Sequence, residues 1–244
     1  MVKFEAVTII ICVVNETVSL QHTVTDIVTS CDRADIGEIL IVYPQNVTRD
    51  CLQMIYRLEA ASADIPIKPV QQQSQGLDGA LKEAFEMASC SHILGLPADN
   101  AIALTCVPVL IRTAKSAPDI IISTSRWLAK GSFSEYSAVK LAFNRLGQSF
   151  LRVLFGGKLT DYTNPVQIAP AQLYKAIRWE NFGFGILLEM TLKPLRLGYA
   201  FSEIPVQCTQ RSDGKPKKPV VKTVLNYLKV ALRVRFLKKS DILK

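Results

Sequence analysis

One carboxylate of the sequence stands at the end of an apolar run. The apolar residues 93–96 are followed by Pro97, Ala98, Asp99 and Asn100. Ligands of open α/β sheets bind outside the carboxyl ends of the strands, so Asp99 could hold a hydroxyl or a cation there. An Asp-x-Asp pair would chelate a divalent cation bound to phosphates, but Pro97 occupies the position of the first Asp. The alternative role for Asp99 is to cap the helix that follows.

The elements that must position this carboxylate follow from the pattern of apolar residues. In the first half of the chain, short runs rich in β-branched residues alternate with segments of helical spacing. This alternation predicts crossover units and a mostly parallel sheet, which is an α/β fold of the nucleotide-binding type. The predicted strands are Val7 to Val14, Ile39 to Val42, Ile65 to Val70, Ile93 to Leu96 and Ile120 to Thr124. The predicted helices are Thr17 to Cys31, Val47 to Ala61, Gly79 to Ser89 and Thr105 to Ser116.

The second half of the chain has a different organisation. Tyr136 to Phe155 places Val, Phe and Leu residues at steps of three and four, which predicts a long amphipathic helix. A polar loop follows at Asp161 to Pro165, and Gly183 to Leu197 forms another predicted helix. The last predicted element is an amphipathic helix from Val220 to Lys239, with lysine and arginine on its polar face.

Length and composition indicate one globular domain with a tail. The 244 residues are enough for a large core, and 49% hydrophobic with 20% charged residues is ordinary for a folded protein. We expect residues 1–210 to form one domain, and residues 211–244 to form a basic loop and helix that belong to the same unit or face a membrane. No apolar run reaches the roughly 18 residues of a spanning helix. Near the amino terminus the only apolar stretch is short, Val7 to Val14, and it predicts a first strand and not a signal peptide.

Cysteine and histidine patterns exclude several kinds of site. The six cysteines lack Cys-x-x-Cys spacing, so we expect reduced thiols of a cytoplasmic protein and neither a zinc site nor a disulfide framework. The two histidines, His22 and His92, have no evident catalytic partner in the sequence. Histidine-based catalysis is therefore not expected.

Positive charge is concentrated at the end of the chain. Residues 211–244 contain 11 Lys or Arg and 2 Asp, whereas the rest contains 18 basic and 19 acidic residues. Such a tail suits an anionic membrane surface, polyphosphates or nucleic acid. Nucleic acid is the weakest of the three, because Tyr227 and Phe236 are the only aromatic residues of the tail that could stack on bases.

Several segments, taken in order, resemble a known family. The chain resembles the family-two glycosyltransferases of the GT-A fold, and most closely the dolichol-phosphate mannose synthase group, from Val7 to about Arg235. The unusual later segments make the resemblance specific. The segments are Val7 to Glu16 with its Asn-Glu turn, Gln75 to Leu81, Ser125 to Trp127 with Gly131-Ser132, Asp161 to Asn164, Phe182 to Glu189, Leu197 to Tyr199, Glu203 to Val206 and Arg211 to Lys215.

The resemblance implies a fold, a reaction and a set of site residues. The fold is a GT-A, Rossmann-like, mostly parallel sheet flanked by helices, with a C-terminal amphipathic helix. The reaction passes a sugar, with inversion, from a nucleotide-diphosphate donor to a polyprenyl phosphate or related glycolipid, assisted by Mg²⁺ or Mn²⁺ at Asp99. The implied catalytic residues are Asp99, Arg126, Asp161 and Glu189. The implied donor-binding residues are Val14, Asn15, Glu16, Tyr43, Gly76, Ala98, Arg211 and Lys215.

The implied reaction needs positive charge more than it needs a base. Arg126, Arg211 and Lys215 would neutralise phosphate groups, since guanidinium suits bidentate phosphate contacts; the alternative is that they are solvated surface charges. A polyprenyl phosphate is already ionised near neutral pH, so no general base is required. Glu189 or Asp161 could serve as a base if the acceptor were a hydroxyl.

The two amphipathic helices fit a lipid acceptor. A helix in the plane of a membrane inserts its apolar face and keeps Lys and Arg among anionic headgroups. We expect this for residues 220–239, whereas residues 136–155 could instead pack on the core with their charges in water. The expected location is cytoplasmic and peripheral, on the inner face of the membrane, in cell-surface polysaccharide synthesis.

The chain also departs from the family pattern, which leaves a second function open. Residues 42–44 lack the usual Asp that contacts the nucleoside, Pro97 replaces the first Asp of Asp-x-Asp, and Ala101 stands where Gln is frequent. Residues 165–167 replace the usual Gly-Phe-Arg. The alternative function is therefore a catalytically degenerate GT-A protein that acts as a binding or scaffold subunit.

Overall fold

A computed structural model describes residues 2–62, 64–133, 138–180, 183–208 and 220–244. Within these ranges the strands are β1 Val7–Cys12, β2 Ile36–Tyr43, β3 Ile67–Gln71, β4 His92–Pro97, β5 Ile121–Ser125, β6 Gln167–Pro170 and β7 Phe201–Pro205. The α-helices are α1 Val18–Ser30, α2 Arg49–Ala61, α3 Gly76–Met87, α4 Cys106–Ser116, α5 Ala138–Phe155, α6 Ala171–Ala176, α7 Ile186–Leu197 and α8 Val220–Phe236.

The strands form one mixed sheet in the order β3-β2-β1-β4-β6-β5-β7. The neighbours β3, β2, β1 and β4 pair in parallel, and β5 pairs in parallel with β7. Only β6 among the described strands is antiparallel to its neighbours. The prediction of a mostly parallel α/β sheet is thus confirmed, while β6 was not predicted.

Alternate side chains of the central strands pack into two core layers, one on each face of the sheet. Ile9 and Ile11 of β1 pack with α1, α2 and α4 on one face of the sheet. Ile10 points to the other face and packs with α3, α6 and α7. This alternation follows from the two-residue period of a strand, and burial on both faces explains the continuous apolar run.

A third apolar cluster joins the later helices. Leu151 of α5, Leu188 and Leu192 of α7, and Val230 and Val234 of α8 pack together. The predicted tail helix therefore packs against the rest of the protein over its described part. None of the described helices is both long and apolar enough to cross a bilayer.

Several element boundaries differ from prediction for local reasons. The first strand ends at Cys12 and not at Val14, because the chain turns there to bring backbone N–H groups onto Glu16. The third helix begins at Gly76 and not at Gly79. The helix predicted from Gly183 begins three residues later, after a turn of 3-10 helix.

Candidate active site

The parallel strands bring most of the predicted site residues to one edge of the sheet. The loops after β1, β2, β3, β4 and β5 all leave from the carboxyl ends of these strands. Because β6 runs in the opposite direction, the loop that precedes it reaches the same edge. Val14, Asn15, Glu16, Tyr43, Gly76, Ala98, Asp99, Arg126 and Asp161 lie in these loops or at the strand ends.

The turn after β1 is held by its own side chains. Glu16 Oε2 accepts the backbone N–H groups of Val14 at 2.5 Å and Asn15 at 3.0 Å. Asn15 Oδ1 accepts the N–H of Thr48, the residue before α2, at 2.9 Å. The Asn-Glu turn therefore links the first two crossover units at the carboxyl edge of the sheet.

The neighbouring strand ends are packed tightly. Tyr43, the last residue of β2, is buried; burial and a hydrogen bond with Tyr56 raise the pKa of its phenol to about 12. Gly76 begins α3 with φ +88°, a conformation that favours glycine, and a Cβ there would lie 2.7 Å from Asp78 Oδ1. Ala98 is also buried. This side of the edge is therefore closely packed around Tyr43 and Ala98.

Asp99 lies directly after β4 in a tight polar turn. Its Oδ1 accepts the N–H of Ala101 at 3.2 Å. Asn100 has a positive φ of 53°, and its Oδ1 accepts the hydroxyl of Thr23 on α1 at 2.7 Å. The residue that precedes α4 is Thr105. The alternative role of Asp99 as the cap of the next helix is therefore wrong, since Thr105 and not Asp99 is the N-cap of α4.

Asp161 and Arg126 form a buried, bidentate ion pair. Arg126 Nε donates to Asp161 Oδ2 at 2.7 Å, and its Nη2 donates to Oδ1 at 2.8 Å. The Arg126 N–H reaches Oδ2 at 3.2 Å, and Nη2 also donates to Thr163 Oγ1 at 2.9 Å. The predicted residues Arg126 and Asp161 are thus brought together, although they are 35 positions apart.

Two residues that the sequence analysis did not select hold this loop in place. Glu203 of β7 accepts the N–H groups of Thr160 at 2.7 Å and Asp161 at 2.9 Å. Gln148 of α5 donates to Asp161 Oδ1 at 3.2 Å and accepts the N–H of Tyr162 at 2.8 Å. Glu203 stood within a recognised segment, whereas Gln148 carried no sequence signal beyond being polar in an amphipathic helix.

A cleft of about 160 Å³ opens beside the Asp161–Arg126 pair. Two arginines of α5 contribute to its wall, and Arg152 also donates to the carbonyl of Leu159 at 3.2 Å. The wall of the cleft therefore carries positive charge. Its lining residues are Trp127, Arg145, Gln148, Ser149, Arg152 and Thr160.

Comparison with known proteins assigns the chain to a family. The sequence model described as glycosyl transferase family 2 matches residues 8–177, more than half of the chain. The chain belongs to glycosyl transferase family 2. Within it, the undecaprenyl-phosphate mannosyltransferase of Micrococcus luteus is 25% identical over 170 residues, which are 66% of this chain and 69% of that protein. The predictions of family and of glycosyltransferase activity are confirmed.

Solved structures share the fold of this family-two glycosyltransferase. Glucosyl-3-phosphoglycerate synthase from Mycobacterium tuberculosis with Mg²⁺ and uridine diphosphate superposes with a TM-score of 0.69 at 14% identity, over 95% of this chain and 79% of that one. The same enzyme with Mn²⁺, UDP-glucose and phosphoglyceric acid gives 0.70 at 14% identity, over 97% and 81%. These matches confirm the GT-A fold.

Glu189 does not belong to the edge that carries the other predicted residues of this family-two glycosyltransferase. Its side chain is fully buried in α7, 2.9 Å from Lys193 Nζ, and it accepts the N–H of Glu180 at 3.1 Å. Lys193 also donates to the carbonyl of Arg178. Burial raises the pKa of Glu189. The prediction of Glu189 as a general base is corrected, because an acceptor cannot reach a carboxyl without exposed surface.

Few of the described side chains of this family-two glycosyltransferase are candidates for metal or phosphate contacts. In the part of the chain that the structure describes, no three His, Cys, Asp or Glu residues gather closely enough to hold a metal ion. Asp99 is the carboxylate that stands at the strand end. Arg211 and Lys215, predicted to contact phosphates, lie outside the described residues.

Proposed function

We propose that this glycosyltransferase moves a sugar, with inversion, from a nucleotide-diphosphate donor to a polyprenyl phosphate, or a related glycolipid, at an anionic membrane surface. The observation that carries the proposal is the basic cleft beside the Asp161–Arg126 pair. Arg145 and Arg152 line it, and guanidinium groups match phosphate oxygens with paired hydrogen bonds. A phosphorylated acceptor complements that chemistry.

The size of the cleft supports an acceptor whose phosphate group binds inside it while the prenyl chain stays outside. A volume of about 160 Å³ accommodates a phosphate and the first atoms of a chain, but not a long polyprenyl tail. The tail would continue along the outer face of α5. The undecaprenyl-phosphate acceptor in the name of the Micrococcus luteus relative agrees with this choice.

If the acceptor is a phosphate oxygen, Asp161 does not have to act as a base, and its carboxylate can stay paired with Arg126. A phosphate monoester is ionised near neutral pH, because its second pKa is about 6. Its oxygen attacks the anomeric carbon from the face opposite the donor diphosphate, and the electron pair of the broken bond leaves with the diphosphate. Both Asp161 oxygens accept from Arg126. Asp161 therefore orients the guanidinium and needs to accept no proton.

The donor would lie at the other half of the edge. The turn of residues 14–16, with Tyr43, Gly76 and Ala98, would hold the nucleoside. Asp99 fits a divalent cation, because Mg²⁺ is commonly bound through one or two carboxylates while phosphates and water supply its other ligands. When bound, Mg²⁺ or Mn²⁺ would neutralise the leaving diphosphate as a Lewis acid. Arg211 and Lys215 would contact the same phosphates.

The outer faces of α5 and α8 support contact with a membrane. Five large apolar side chains of α5 are between 41% and 86% exposed, and the exposed residues Arg145 and Arg152 lie on the same helix, towards the cleft. On α8, four leucine or valine side chains are 40% to 60% exposed beside Lys229 and Arg233. Apolar stripes with basic flanks are typical of helices that lie in the plane of an anionic membrane. The exposed side chains are Val139, Phe143, Leu146, Phe150 and Val153 on α5, and Val224, Leu225, Leu228 and Leu232 on α8.

A cytoplasmic, peripheral position on the inner membrane face belongs to the same proposal, with a role in cell-surface polysaccharide synthesis. All six cysteines are free thiols. Free thiols suit a reducing compartment.

The test is transfer by the purified full chain. Anionic vesicles that contain undecaprenyl phosphate are incubated with Mg²⁺ and a panel of UDP- and GDP-sugars, and lipid products are identified by mass spectrometry. We expect one glycosylated polyprenyl phosphate. Asp99→Asn should slow its formation at least tenfold, while the matched control Asp64→Asn, on an exposed loop, should not.

Two results would overturn this proposal. Transfer to a hydroxyl acceptor but not to a prenyl phosphate would contradict the acceptor. Binding of nucleotide sugars without any turnover would instead favour the scaffold function, which the loss of an acidic residue at Pro97 motivates.

A further inference from the structure

The helix α5 has two opposite faces, one for solvent and one for the active site. Successive residues of an α-helix are about 100° apart, so Phe143, Leu146 and Phe150 fall within about 60° of one another and Gln148 lies opposite them. Their exposure agrees with this geometry. The three apolar side chains are 69%, 65% and 41% exposed, whereas Gln148 is 5% exposed.

The amide of Gln148 is bonded to three consecutive residues of the active-site loop. Its Nε2 donates to Asp161 Oδ1 at 3.2 Å and to Thr163 Oγ1 at 3.0 Å. Its Oε1 accepts the N–H of Tyr162 at 2.8 Å. Because both ends of the amide are engaged by the loop, Gln148 acts on the site through Asp161.

The two acceptors of the Gln148 amide nitrogen, Asp161 Oδ1 and Thr163 Oγ1, also accept hydrogen bonds from Arg126. Its Nη2 donates to Asp161 Oδ1 at 2.8 Å and to Thr163 Oγ1 at 2.9 Å. Gln148 and Arg126 thus share two acceptors, one donor coming from α5 and the other from the end of β5. A displacement of α5 would therefore change the geometry of the Asp161–Arg126 pair.

We propose that Gln148 is a positioning residue, which couples the seating of α5 at a lipid surface to the Asp161–Arg126 pair. The inference rests on the proposed function, because it requires transfer at a membrane. Once the apolar stripe of α5 enters lipid, the helix is fixed, and the Gln148 amide fixes the loop beneath the cleft. Membrane contact then raises kcat even for an acceptor that is soluble in water.

The first test uses a short, water-soluble prenyl phosphate as acceptor, with or without anionic vesicles that contain no acceptor. In the wild-type chain, vesicles should raise kcat several-fold. In Gln148→Leu, kcat should fall at least tenfold with the donor KM changed less than twofold, and the vesicles should no longer stimulate. The matched control Gln53→Leu, on the exposed side of α2, should behave as wild type.

A second variant gives a signature that a purely structural role would not produce. Gln148→Glu retains the acceptor for the Tyr162 N–H but, when ionised, places a second carboxylate against Asp161. When protonated it can donate as the amide does. Its kcat relative to wild type should therefore rise as the pH falls. This pH profile remains measurable if Gln148→Leu does not fold.

The outcomes separate this inference from the proposed function. A folded Gln148→Leu with wild-type kcat, or a Gln148→Glu profile parallel to that of wild type, overturns the positioning role. A lower kcat with vesicle stimulation intact overturns the link to α5. A wild-type chain that transfers to no prenyl phosphate overturns the proposed function and this inference with it.

Discussion

Arg126 holds both oxygens of the Asp161 carboxylate, at 2.7 Å from Nε and 2.8 Å from Nη2. The carboxylate is fully buried, and the arginine side chain is only 15% exposed. A buried charge of this kind is stable only when a partner satisfies its hydrogen bonds. The pair therefore ties the end of β5 to the loop of residues 161–163, next to Gln148 and Thr160 of the cleft wall.

Substitutions of Arg126 can test separately its positive charge and its planar, bidentate geometry. Arg126→Lys keeps a positive charge, but an ammonium cannot bind both carboxylate oxygens as a planar guanidinium does. We expect turnover to fall at least tenfold in steady-state assays. Arg126→Ala would leave Asp161 unpaired and lower the free energy of unfolding by about 3–5 kcal/mol, measured in urea.

The control is Arg57→Lys, on the exposed side of α2. It should change neither turnover nor the free energy of unfolding. Wild-type turnover in a folded Arg126→Lys would show that the bidentate contact has no role in transfer.

The sequence predicted the parallel part of the sheet but not its antiparallel strand. Five strands were evident because long apolar runs alternate with helical spacing. β6 has only four residues, Gln167–Pro170, and ends in a proline. Gln167–Pro170 has a single β-branched residue and so forms no apolar run, and its pairing with β4 and β5 depends on residues far away in the chain.

The candidate site was predicted where it follows strand ends and missed where it depends on packing. Asp99 could be placed at the sheet edge from the predicted strand before it, and Arg126 from the resemblance of its segment to the family. The inward position of Gln148 could not be predicted, because the apolar side of α5 was the obvious candidate for burial. In the structure that side is exposed, and Leu151 with Gln148 faces the protein. The prediction for Glu189 was wrong for the same reason, since its burial beside Lys193 depends on how α7 packs in the folded protein.

A second buried carboxylate, Glu38, lies near the start of β2, away from the site. It accepts hydrogen bonds from Thr8 Oγ1 at 2.7 Å, Lys68 Nζ at 2.6 Å and the Ser89 N–H at 2.7 Å. Burial raises the pKa of Glu38, but these hydrogen bonds outweigh burial and lower the pKa to about 2.

This carboxylate should make stability depend on pH. Because the folded pKa lies below the unfolded value, Glu38 stabilises the protein above about pH 4.3 and loses that contribution as the pH falls towards 2. We expect the contribution to be about 3 kcal/mol at neutral pH. Urea unfolding of Glu38→Gln and wild type should differ at pH 7 and converge in acid. Glu86→Gln, at an exposed pair, should show no such convergence.

The apolar stripe of α5 makes a separate prediction about membrane binding. Phe143 is 69% exposed, and burying a phenylalanine side chain contributes about 1.5–3 kcal/mol. Phe143→Asp should therefore weaken binding to anionic vesicles at least tenfold in a sedimentation assay, without a change in donor affinity. Met87→Asp, at a similarly exposed apolar residue of α3, is the control. Equal vesicle binding by the two variants would contradict a role for the stripe.

Pro97 allows a direct test of whether one carboxylate is sufficient for the metal. Pro97 is the last residue of β4, pairs with Cys12 of β1 and stands two residues before Asp99. Pro97→Asp adds a second hard oxygen ligand, and the affinity for a divalent cation rises with the number of charged ligands. Titration with Mn²⁺ in the presence of UDP or GDP, followed by electron paramagnetic resonance, should show at least tenfold tighter binding than wild type. Pro97→Ala removes the ring without adding a carboxylate and should bind as wild type does. If Pro97→Asp and Pro97→Ala bind Mn²⁺ equally, a carboxylate at position 97 does not reach the cation, and the interpretation of Pro97 as a lost metal ligand fails.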